Sequence, residues 1–148
     1  MRHREFCIGL KDRFPWFGED MWGVSASDSR RGYVAWGGPK TKPDESIDGT
    51  LVPCASGGSI VLLPEACTRV LEAILERYGN HVWTRYGFVD AFHPEAGWYG
   101  PDVLGIDLGI MLLMTENLRT GSVWSSVMES AEAQSGFARA GFYNPALL

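Results

Sequence analysis

The chain lacks what several large classes of function require. Its three cysteines, Cys7, Cys54 and Cys67, are odd in number and form no C-x-x-C pair. A zinc site and dithiol redox chemistry therefore both lack their signature. One disulfide could be drawn among them, but buried free thiols are the better reading. His3, His81 and His93 are far apart with no H-x-x-x-H spacing, so we read them as incidental and expect no metal. Basic residues number 13 against 18 acidic ones, for a net charge of −5. Arg30-Arg31 and Lys40/Lys42 make no cluster, so the phosphate backbone of nucleic acid would be repelled. No apolar run approaches the roughly 18 residues that span a bilayer. The opening Met1-Arg2-His3-Arg4-Glu5 is charged and leads into no apolar signal-peptide core, so no export signal is expected. G-x-S-x-G, P-loop and G-x-G-x-x-G motifs are all missing, and no cofactor is expected.

Aromatic residues are what the chain has in quantity. Six Trp, seven Phe and five Tyr sit in 148 residues that are 45% hydrophobic and 21% charged. That balance excludes a disordered chain and predicts one domain with a real core. An aromatic core accounts for any single ring. The other use of such rings is a sugar cleft, where Trp and Tyr stack on the apolar faces of pyranoses.

Apolar spacing predicts a short helix over residues 2–13, with Phe6, Ile8 and Leu10 on its apolar side. Residues 14–63 are punctuated by Gly and Pro throughout and read as a long ordered loop. Within it, Gly32–Trp36 alternates in a way that suits a small strand. Pro64 then opens the clearest helix, with Val70, Leu71, Ile74, Leu75 and Tyr78 on one stripe and Gly79 as its stop. Residues 80–106 read as a second loop. A helix follows over 107–119, with Asp107 as N-cap and an all-round apolar middle, Ile110–Met114. Such a helix is expected to be buried between neighbours, of which this chain supplies few. Further helical stretches are expected over 123–131 and 133–140, the last ending at Gly141.

Four carboxylates could carry chemistry. Glu116, near the end of the apolar helix, suits a general acid if burial raises its pKa. Its alternative is a structural pair with Arg119 or Arg85. Asp107 precedes Glu116 by nine residues and so lies on the opposite side of the helix. Its alternative is plain capping. Asp90 has no evident capping duty, and Asp28 could form an Asx turn or touch a ligand. Carboxylate pairs amid Trp and Tyr are what a glycosidase needs.

Three blocks carry a resemblance. They are Phe17–Asp28 (FGEDMWGVSASD), Arg85–Phe92 (RYGFVDAF) and Trp98–Asp107 (WYGPDVLGID), the last continuing through Glu116–Gly121. Gly32-Tyr33, Gly37-Gly38-Pro39 and Asp48-Gly49-Thr50 add to it. Together they resemble the glucoamylase-like domain that includes glycoside hydrolase family 144 endo-β-1,2-glucanases. The resemblance covers nearly the whole chain, although Leu108 and Ile110 depart from the Gln and Pro usual in that pattern. It implies a mainly α fold, part of an (α/α)6 toroid with long aromatic loops, and hydrolysis of a β-glucan by inverting, metal-free carboxylate chemistry. A non-catalytic carbohydrate-binding module is the alternative.

By the same resemblance Asp90 and Asp107 are cleft carboxylates, with Glu116 supporting or structural. Trp22, Asp28, Tyr33, Phe92, Trp98 and Tyr99 fall in blocks that line or support the cleft. A complete toroid needs more helices than this chain offers. The expectation is therefore a C-terminal segment, completed by an N-terminal portion or by a homo-oligomer. The family's hydrolases are commonly periplasmic.

Overall fold

A computed structural model describes residues 2–36 and 46–142, so the Gly37-Gly38-Pro39 block lies outside the described residues. The fold is mainly α. The first helix, α1 (Arg2–Ile8), ends earlier than its apolar spacing suggests, because Gly9 follows and the chain tightens into i→i+3 turns up to Arg13. The described residues of the stretch 14–52 then run without helices. They are tied by paired bonds between Ser27 and Val34, and by a bond from the Val52 N–H to the Gly23 carbonyl (3.1 Å).

A short helix, α2 (Pro53–Gly57), interrupts what reads as continuous loop. Pro53 suits its first turn, where a missing N–H costs nothing. Five residues are too few to show a 3.6-residue period, which is why the helix escapes sequence reading. The next helix, α3 (Pro64–Tyr78), follows its apolar stripe: Cys67, Val70, Ala73 and Ile74 are buried. Gly79, at φ 48°, takes the positive-φ turn that ends it.

Residues 80–106 are not plain loop. After a 3-10 turn at Gly79–His81, β1 (Trp83–Thr84) pairs antiparallel with β2 (Gly87–Phe88), and β3 (Phe92–His93) pairs with β4 (Trp98–Tyr99). Strands of two residues carry too little alternation to be seen in the sequence. Leu51 pairs with Phe92 through bonds of 2.8 and 2.9 Å, joining the approach to α2 to the second hairpin. Around this junction lies the core, in which Phe17, Met21, Trp22, Leu51, Val70 and Phe92 are buried.

The chain closes with α4 (Gly105–Thr120), α5 (Ser122–Met128) and α6 (Ala131–Arg139). Two expectations for α4 need correction. Its N-cap is Leu104, which makes no side-chain cap, and Asp107 sits in the first turn instead. Nor is the apolar middle buried: Ile110, Leu112 and Leu113 are 41%, 70% and 49% exposed. Asn117 is the buried residue of this helix. Among the described residues one side of α4 meets the rest of the chain, and there it lies very close to α2. A Cβ on Gly57 would stand 2.5 Å from Met111 Cε, and one on Gly58 would stand 3.0 Å from Ile110 Cγ1.

Candidate active site

Four segments converge where α2 meets α4. The Asp28 N–H donates to Asp90 Oδ2 at 2.7 Å, and the Asp90 N–H donates to the Asp102 carbonyl at 2.9 Å. These bonds hold Asp90 from two loops at once, one at its carboxyl and one at its backbone, and the residue is only 2% exposed. The Asp107 carboxyl reaches it from the first turn of α4, close enough for the two to share a hydrogen bond when one carries a proton. Helix α2 brings Cys54 to the same place, within reach of the Asp107 carboxyl. Asp107 and Cys54 also line a pocket of about 530 Å³, together with Ser27, Tyr33, Leu104 and Ile110.

Burial raises the Asp90 pKa from 3.8 to about 6. The bond from the Asp28 N–H opposes that rise, while the neighbouring carboxyls of Asp107 and Asp28 add to it. Burial likewise pushes the Cys54 thiol well above its ordinary value, helped by the charge of Asp107 and its hydrogen bond. The thiol is thus a donor and not a thiolate nucleophile. Oδ2 of Asp107 is buried with no hydrogen-bond partner. Such an orphan costs roughly 1–3 kcal/mol and asks for an explanation. A proton shared with Asp90 is one remedy. The pair can therefore hold one proton and exchange it with a third group on the pocket side.

Two sequence candidates come together here as carboxyls, Asp90 and Asp107, and Asp28 joins them through its backbone. Tyr33, 70% exposed, stands on the pocket wall. Other candidates lie elsewhere. Trp22 and Phe92 are 1% and 0% exposed, so they support the site from the core and offer no face to a sugar. On β4, Trp98 and Tyr99 are half-buried, with the Tyr99 ring stacked on His81 at 4.8 Å. Glu116 is about 13 Å further along α4, on its far side. There it pairs with Arg119 at 2.9 Å and accepts a bond from the Thr120 hydroxyl. Arg85, its other possible partner, instead covers the Tyr86 ring.

Cys54 was missed by sequence reasoning. Its only signal was the Pro53 that precedes it as a helix opener. All three cysteines are free, Cys7 and Cys67 in the core. Among the described residues no group of three or more His, Cys, Asp and Glu side chains could hold a metal ion. No helix among them is long and apolar enough to cross a membrane.

The family model Glycoamylase, a glucoamylase description, matches residues 1–131. The chain belongs to this glucoamylase family. An exo-β-1,2-glucooligosaccharide sophorohydrolase (non-reducing end) of Parabacteroides distasonis is 30% identical over 135 residues, 90% of this chain and 18% of the relative. The endo-β-1,2-glucanase of Chitinophaga pinensis, solved with sophorotriose and glucose, superposes with a TM-score of 0.79 at 32% identity. That match covers 92% of this chain and 32% of the other. A β-1,2-glucanase structure from P. distasonis gives 0.79 at 30% identity, over 90% and 19%. The chain thus spans about a fifth to a third of the length of these glucoamylase-family relatives, and its architecture is part of their α/α toroid.

Proposed function

We propose that the chain forms one wall of the active cleft of a β-glucan hydrolase, most naturally one for β-1,2-linked glucose, as part of a larger toroid. The observation that carries this reading is the Asp90–Asp107 carboxyl pair, buried beside a pocket walled by Tyr33, Leu104 and Ile110. The three relatives named for β-1,2-glucans, each at least 30% identical, support the substrate class.

The geometry supports a division of roles. Glycosidases place their two working carboxyls roughly 5–5.5 Å apart for retention or 6.5–9.5 Å apart for inversion. Asp90 and Asp107 lie closer together than either spacing, within reach of one shared hydrogen bond, so they act as one unit. Asp107, on the pocket, exchanges the proton. Asp90, enclosed and held by the Asp28 N–H, sets when that proton is present. The second working carboxyl comes from outside this cluster, as an inverting mechanism on a larger toroid requires.

The test is hydrolysis of β-1,2-gluco-oligosaccharides by the chain in its complete toroid, with Asp107→Asn as the variant. Loss of one acid/base group should lower the rate roughly 10²–10⁴-fold, with the melting temperature little changed. Near-normal turnover would remove Asp107 from the mechanism. Sugar binding without turnover, lost on Trp98→Ala and kept on Asp107→Asn, would make the chain a carbohydrate-binding module.

A further inference from the structure

We propose that Cys54 is a positioning residue for Asp107, its thiol donating a hydrogen bond that orients the Asp107 carboxyl and favours its charged form. The placement follows from helix packing. Gly57 and Gly58 have no side chains, and this lets α2 approach α4 until Met111 and Ile110 fill the space a Cβ would take. One turn earlier on both helices, at i−4 from Gly58 and Met111, stand Cys54 and Asp107. The two side chains therefore face each other across the same contact, and both line the same pocket.

The surroundings leave the thiol as the natural donor. Beside Asp107 are the carboxyl of Asp90, with Asp28 behind it, and the Cys54 thiol from α2, while Tyr33 lines the same pocket. No Lys, Arg or His lines this pocket among the described residues. Nothing cationic therefore favours the ionised carboxyl there. The upward push on the thiol keeps it protonated, which is the form that can donate. A thiol is a weak donor, so its influence on the carboxyl is gentle. The pair is left free to take up a proton near pH 6, where a salt bridge would have locked it ionised.

The catalytic meaning of this contact rests on the reading of Asp107 given above. The test reads titration and not turnover, so the two can fail separately. Carboxyl ¹³C signals of Asp90 and Asp107 would be followed against pH in the full chain, with Cys54→Ala and Cys54→Ser beside the unaltered protein. Removing the donor in Cys54→Ala should raise the midpoint of the pair by roughly half a pH unit or more. The stronger hydroxyl donor in Cys54→Ser should bring it below the original value. Identical midpoints in all three proteins would overturn the proposal, as would a rise of equal size in both variants. If Cys54→Ala does not fold, Cys54→Ser decides alone: a lowered midpoint supports donation and an unchanged one refutes it.

Discussion

The loop-rich part of the chain and its helical end differ in a way that secondary structure alone would not suggest. Outside α2 and α3, the described residues of 14–100 contain little regular structure, yet they hold most of the fully buried side chains, including Phe17, Met21, Trp22, Leu51 and Phe92. Helices α4 to α6 are regular throughout, yet α5 and α6 bury no residue at all, and α4 buries Asn117. Trp124, Val127 and Phe137 stand about half exposed on the last two. A helix satisfies its own backbone hydrogen bonds and so can persist with its apolar side uncovered, whereas a loop must find partners for its polar backbone. The loops here find them in one another. Burial, not regularity, marks where this chain is held together.

Substitutions can break or sharpen that contrast. The largest effect is expected in the loop-rich core. Phe92, wholly buried and flanked by the rings of Tyr78 and Tyr99, should cost about 3–5 kcal/mol on change to Ala, seen in urea unfolding. Against a typical total of roughly 5–15 kcal/mol, that endangers the fold. A loss under about 1 kcal/mol would mean that the loops are not the core.

Next comes the junction between the two regions. The Asp90 carboxyl has a folded pKa of about 6, raised from 3.8, so the folded state binds the proton more tightly than the unfolded one. Its contribution is fully present below about pH 4 and is lost as pH rises through about 6. At about 1.36 kcal/mol for each pH unit, the rise corresponds to about 3 kcal/mol. Asp90→Asn keeps an oxygen for the Asp28 N–H and removes the titration. Relative to the unaltered chain, the variant should therefore gain about that much stability between pH 4 and pH 7. Parallel stability curves for the two proteins would show that Asp90 does not titrate in this range.

A third change probes the seam itself. Gly57→Ala puts a methyl group where Met111 sits, and overpacking of this kind should cost about 1–3 kcal/mol. If α2 and α4 were only loosely apposed, the methyl group would be accommodated and the melting temperature unmoved. The smallest effect is expected on the helical end. Leu112 is 70% exposed, so Leu112→Lys should change the stability of the chain by less than about 0.5 kcal/mol in urea unfolding. A large loss of stability would place Leu112 in a contact that the chain makes with itself.

The longest patterns were the legible ones. Helix α3 has four turns of apolar stripe with Pro64 before it and Gly79 after it, and the structure keeps nearly those limits. The aromatic motif blocks led to the family and to its α/α architecture. What stayed hidden was short or relational. Helix α2 and the two-residue strands are below the length at which a period can show. For Asp107, the sequence offered an acidic residue at the head of a helix, which suits a cap. Only the neighbouring loop, with Asp90 held by the Asp28 N–H, turned that side chain into half of a carboxyl pair.

By itself, then, the sequence determined the helix-forming stretches, the aromatic load, the acidic balance and the motifs of the glucoamylase family, because each is a local pattern or a sum over residues. The tertiary structure decided which aromatics are core and which are surface. It also decided that the carboxyls of Asp90 and Asp107 come together and that Cys54 stands beside Asp107 on the same pocket. Those outcomes depend on the approach of segments distant in the chain, and on the loss of water around them. For Cys54 and Asp107 that approach runs through Gly57 on α2 and Gly58 just after it, where no side chain holds α4 away.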